Sequence, residues 1–184
     1  MQEPIPGGAG PESTLPAFGP WGRVLFAACR ALALAGGLVF VGLVAMSVVS
    51  IVGRKLASAP VQGDVEVLQM CAAFACASFF AYCHLLGGDV KVDFFTSRMS
   101  PASTHALDAV GSLLYTVVGA ALAWRSLAGA LAVKDSGETS VILGWPVWIA
   151  QMLMVPGFAL MALAGAYMML AHVRVAMLAR ERVR

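Results

Sequence analysis

Three kinds of residue in this chain could do chemistry. The histidines His84, His105 and His172 could hold a haem or a metal if two of them faced each other at depth. The cysteines Cys29, Cys71, Cys76 and Cys83 could form disulfides or bind a soft metal. Glu66, Asp108 and Arg125 could carry protons or ions if they sat in the middle of a membrane. Each reading fails on position. The histidines all fall near one end of a predicted apolar helix, on the same predicted side, so paired ligation is not expected. The cysteines lie inside apolar stretches, away from the oxidising aqueous space a disulfide framework needs. Cys76 and Cys83 are one heptad apart and share a helix face, while Cys71 points elsewhere, so they read as small packing residues. The acids and Arg125 fall near predicted helix ends. No phosphate-binding glycine loop, no Ser-His-Asp set and no metal-ligand spacing occurs. The chain is therefore not expected to be an enzyme, and it has no catalytic, cofactor-binding or metal-binding residues to assign.

The elements that carry these residues follow from composition. Of 184 residues, 60% are hydrophobic and 12% are charged, and mean hydropathy is +0.83. A soluble domain carries about 45–50% apolar and about 25% charged residues. A net charge of +2, with basic residues concentrated only at the end, excludes a nucleic-acid binder and a disordered chain. One bilayer crossing takes about 20 apolar residues as a helix, so four or five crossings fit and a second, soluble domain does not.

The expected fold is an all-α integral membrane protein with four transmembrane helices and both termini cytoplasmic. Residues 1–22, rich in Pro, Gly, Ser and Ala, read as a flexible tail, without the basic and apolar regions of a signal peptide. A single membrane domain spans 23–173, with helices at about 24–53, 65–86, 102–133 and 145–172. Residues 174–184 form a basic tail. Glu66 sits in the first turn of the second helix, where the helix dipole favours a negative charge. The segment 89–100 places Val92, Phe95 and Met99 on one face, which suits either a short interfacial helix or a plain connecting loop. Ser100 and Pro101 open the third helix as cap and first residue. Its charge-free core, 109–124, is too short to span, so Asp108 and Arg125 are expected close to the two interfaces. Pro156 and Gly157 fall inside the fourth helix and predict a kink or a break there.

Orientation follows from the positive-inside rule. With the termini inside, eight Lys and Arg (Arg23, Arg30, Lys91, Arg98, Arg174, Arg180, Arg182, Arg184) face the cytoplasm and four (Arg54, Lys55, Arg125, Lys134) face out. Trp124, Trp145 and Trp148 then gather at the outer interface. Small residues recur four apart, as in Ala31/Ala35, Ala33/Gly37, Ala73/Ala77, Ala77/Ala81 and Ala162/Ala166, and would let helices approach closely. Four packing helices without a site of their own read as a partner subunit of a larger membrane protein.

The ordered motifs carry a family resemblance. Arg54 follows the first helix and Glu66 opens the second. GGDVKVDFF, with Val92 and Asp93, is similar to a Gly-Gly-His-Ile-Arg-Val-Asp-Leu signature. LGWPVWIAQMLMVPGFALMAL places Leu143, Gly144, Pro146, Trp148, Pro156 and Gly157 on a Leu-Gly-x-Pro-x-Trp…Pro-Gly pattern. Over roughly 24–172 the chain resembles the small, four-helix membrane subunit of tripartite ATP-independent periplasmic (TRAP) transporters. Asp89 stands in place of the signature His, and Leu85 and Leu86 stand where the family has Arg, with His84 one step back.

That resemblance implies a scaffold in the bacterial inner membrane. The partners it implies are a large elevator-type membrane subunit, a periplasmic substrate-binding protein and membrane lipids, with no nucleic acid. The large subunit would hold the substrate and sodium sites, so this chain needs no cofactor of its own. The transported solute would be an organic acid such as a C4-dicarboxylate or sialic acid. Partner or interface residues are expected among Arg54, Glu66, Lys91, Asp93, Arg98, Trp145, Pro146, Trp148, Pro156 and Gly157, with Arg54 and Glu66 pairing across the first two helices. The alternatives are the small subunit of a tripartite tricarboxylate transporter and, from a different class, a four-helix redox or electron-carrier protein.

Overall fold

A computed structural model describes residues 20–56, 61–88 and 101–181. Four helices account for nearly all of them: α1 (Pro20–Leu56), α2 (Asp64–Leu85), α3 (Pro101–Ser136) and α4 (Val147–Glu181). All four are long and apolar enough to cross a membrane. The chain is thus a four-helix, multi-pass membrane protein. The segment 89–100, and with it Lys91, Asp93 and Arg98, lies outside the described residues.

The helices run past their predicted ends, for local reasons. α3 continues through Lys134, Asp135 and Ser136 and stops at Gly137, whose positive φ of 68° ends a helix without a Cβ clash. α4 begins only at Val147, because Trp145 and Pro146 belong to the preceding turn. It then continues to Glu181, into the stretch read as a basic tail, since Ala, Met, Leu and Arg there all favour helix. Pro156 neither breaks nor ends α4. It lies on the exposed side.

The helices pack in the order α1–α2–α4–α3. α2 and α4 form the middle, and α1 and α3 are edges with one main neighbour each. Cys29 of α1, Ala77, Ala81 and Leu85 of α2, and Phe158, Met161 and Ala164 of α4 form the buried cluster. Glycine makes these seams close. A Cβ on Gly157 would lie 2.8 Å from the Ala77 carbonyl oxygen, and one on Gly36 would lie 2.7 Å from Ser78 Cβ. Between α3 and α4 a Cβ on Gly119 would meet the Ala162 nitrogen at 2.8 Å, and one on Gly165 the Thr116 hydroxyl at 2.6 Å. Lipid is as apolar as a leucine surface, so close packing rather than water exclusion must hold such helices together. Of the small-residue pairs in the sequence, Ala77/Ala81 sits in the seam, whereas Ala31 and Ala35 are exposed. Of the four cysteines only Cys29 is core; Cys76 and Cys83 are exposed.

These contacts set the depth of every helix relative to the others. Gly36 of α1, Ala77–Ser78 of α2 and Gly157 of α4 share one level, the waist of the protein. Along α2, Ala77 lies about 20 Å from Asp64 and about 12 Å from Leu85. The waist therefore lies well inside the apolar span of α2. α3 passes α4 with Gly119 at Ala162 and Gly129 at Gln151. Arg125, between those two points, falls level with Pro156 and Gly157. The expectation for Arg125 rested on counting charge-free residues within α3 alone; the packing against α4 sets its level within the bundle, at the waist.

Candidate functional site

The polar groups that tie the bundle together gather where α1 ends and α2 and α4 begin. α2 starts at Gly63, which adopts φ +75°. A side chain there would be strained, and its Cβ would also strike Leu143 Cγ at 2.6 Å. The turn thus delivers Asp64 and Glu66 to opposite sides of α2. At about 100° per residue, positions two apart point nearly opposite ways.

Asp64 faces α1. It accepts a hydrogen bond from the Ser50 hydroxyl and lies 3.8 Å from Arg54 Nη2. Ser50 itself is buried, 1% exposed. Glu66 faces the connection between α3 and α4. Its carboxylate accepts from the backbone N–H of Ile142 at 2.9 Å, from that of Leu143 at 3.1 Å, and from the Ser140 hydroxyl. The same connection closes on itself: Ser140 N–H donates to the Trp145 carbonyl at 2.8 Å, and Thr139 bridges to Pro146. Glu66 thereby satisfies backbone donors that a turn at a membrane surface would otherwise leave to water. The expected Arg54–Glu66 pair does not form. Arg54 pairs with Asp64, because Asp64 is the acid on the face of α2 that α1 covers.

The remaining expected residues fall around this end or at the waist. Trp145 is half-exposed and Pro146 forms the wall of the turn. The Trp148 ring lies beneath the Lys134 ammonium, 5.2 Å from its centroid, tying the start of α4 to the end of α3. Pro156 and Gly157 sit at the waist, where Gly157 provides the close approach to α2. Glu66, Gln69 and Gln151 border a cavity of about 360 Å³ under the 139–141 turn.

At the other end, a cavity of about 330 Å³ is lined by His84, Asp108, Tyr115 and His172, among others. His84 is 7% exposed and stacks on Tyr115, ring centroids 4.0 Å apart and 13° from parallel. The Tyr115 hydroxyl donates to the Phe80 carbonyl at 2.7 Å and so links α3 to α2. Sequence reasoning missed Ser50, Asp64, Ser140 and Tyr115. Only Asp64 carried a local signal, an acid beside Gly63 in a first helical turn.

Chemically this arrangement is a set of locks. Both carboxylates accept from neutral donors, Asp64 is also paired with Arg54, and the ties join α2 to α1 and to the α3–α4 connection. The family model of the DctQ component of tripartite ATP-independent periplasmic transporters matches residues 43–175. The chain belongs to this family. The match takes in the end of α1, all of α2 and α3, and most of α4, and so includes both carboxylate ties. As a DctQ component, the chain is part of a transporter. No curated protein and no solved structure matches it.

Proposed function

We propose that this DctQ component is the scaffold of its transporter. It pairs with a large elevator-type membrane subunit in the bacterial inner membrane, both termini on the cytoplasmic side, and has no enzymatic activity. The large subunit binds the organic acid and the coupling sodium ions, and a periplasmic binding protein delivers the solute. The family match over residues 43–175 carries this reading. The geometry supports it: each described polar tie joins one part of the bundle to another, as a rigid frame requires. Orientation rests on the excess of Lys and Arg toward the terminal ends of the chain. The Glu66 lock then stands on the periplasmic side, as do the Trp145 and Trp148 rings. Among the expected interface residues, Glu66 is engaged by the 140–143 turn, whereas Arg54 and Trp145 are exposed and can meet lipid or a partner.

The test is an affinity purification of the tagged chain from its native membrane in mild detergent, read by mass spectrometry. A large polytopic membrane protein should copurify near one to one. A chain that emerges alone and transports solute in liposomes would overturn the reading.

A further inference from the structure

We propose that the outer face of α3, centred on Arg125, is the surface on which the partner membrane protein docks, and that the partner meets Arg125 with a carboxylate inside the bilayer. The inference rests on the reading that the chain works beside a larger membrane subunit, and it names the surface and the charge that join them.

Three observations carry it. The first is depth. Arg125 lies level with Gly157 and Ala77, and along α3 the flanking charges Lys134 and Asp108 are about 13 Å and about 25 Å away. A guanidinium stays charged at any accessible pH. In hydrocarbon it requires a partner or water.

The second is the face. α3 turns Ala109, Ser112, Gly119 and Ala130 toward α4, and these are buried or lie against it. Arg125 is exposed on the other side, with no hydrogen bond or ion pair to any described residue. α3 is an edge of the α1–α2–α4–α3 row, so no described helix covers that side.

The third is shape. Val118, Ala121, Leu122, Ala128 and Ala132 share the exposed face with Arg125, at helical spacings of three, four and seven. Three of these five are alanine, so a second helix can approach α3 closely on the Ala121 and Ala128 side of the guanidinium. A lone cation with small neighbours fits a helix that brings an Asp or Glu at the same depth.

The experiment uses the full chain coexpressed with the transporter's other components. A photoreactive amino acid is placed at Ala121 or Ala128 on α3, or at Leu38 or Val41 on α1. In parallel, Arg125→Leu, Arg125→Glu and Arg125→Lys are purified by the tag and checked for helix content and monodispersity. The α3 positions should crosslink to the copurifying large membrane protein, and the α1 positions should label it far less. Arg125→Leu should lower copurification by roughly thirtyfold or more, as expected when one side of a desolvated charge pair is removed. Arg125→Glu should lower it further, and Arg125→Lys should restore part of it.

If the large protein copurifies but the α3 positions label only lipid, and Arg125→Leu copurifies normally, the docking surface is wrong while the scaffold reading stands. Crosslinks to a second copy of this chain would also overturn it. If no large protein copurifies even with the unaltered chain, the scaffold reading itself fails.

Discussion

α1 and α3 are both edges of the same row, yet they present different surfaces to whatever lies outside. The outer side of α1 at mid-depth is aliphatic: Leu34, Leu38, Val41 and Val44 are all at least half exposed. The outer side of α3 at the same level carries Arg125, with Ala121 and Ala128 on one side of it and exposed Leu122 and Trp124 nearby. Leu38 and Arg125 stand at nearly the same height, since Gly36 and Gly157 share the waist. The two edges also differ in average hydropathy, α1 being the more apolar, and the exposed charge on α3 is part of that difference. The two edges are also tied to α2 by different polar groups. α1 is held through Ser50, Arg54 and Asp64, and α3 through the Tyr115 hydroxyl on the Phe80 carbonyl.

The difference can be broken most strongly by moving the charge. Leu38→Arg gives α1 the feature of α3 on a face with nothing to receive it. A charge at a helix centre opposes insertion by about 2.5–3.5 kcal/mol. The insertion efficiency of α1, measured by glycosylation mapping, should fall accordingly.

A second change removes the common level on which the comparison rests. Gly157→Val drives a side chain into the Ala77 carbonyl and separates α2 from α4. Overpacking of this kind costs about 1–3 kcal/mol, and should appear as a lower unfolding midpoint in detergent. A value unchanged from the parent would mean the waist is looser than its 2.8 Å approach requires.

Tyr115→Phe sharpens the comparison by cutting the tie of α3 while keeping the ring stacked on His84. Loss of one hydrogen bond predicts about 0.5–1.5 kcal/mol in the same measurement.

The smallest global effect is expected from Glu66→Gln. Its consequence is local: amide exchange at Ile142 and Leu143 should speed up, while the helices keep their protection. Unchanged exchange at both amides would show that the turn holds without the carboxylate.

Much of the fold was legible because hydropathy alone marks a helix that must satisfy its backbone inside lipid. The ends were less legible, since Lys134 to Ser136 and Arg174 to Glu181 are polar yet favour helix where water begins. Glu66 was recognisable as important but not what it binds. Its partners stand 74 to 77 positions away and are mostly backbone amides, which no side-chain pattern reveals. Arg54 was likewise matched with the wrong acid, because Asp64 looked like a loop residue until Gly63 made it the first residue of α2. Pro156 signalled a broken helix, whereas the informative residue was its neighbour Gly157. The level of Arg125 within the bundle could not be read from α3 by itself, because the packing against α4 sets it.

The order α1–α2–α4–α3 also bears on how the protein is made. The ribosome delivers α4 last, but its place is between two helices already synthesised. α2 and α3 must therefore leave a gap one helix wide, about 10 Å, and the chain from Leu86 to Ser100 must be long enough to reach across it. A nascent chain that ends before Val147 has only the contacts of Tyr115 with Phe80 and His84 to join its two halves, and late arrival of one hairpin arm fills the seams on both sides at once.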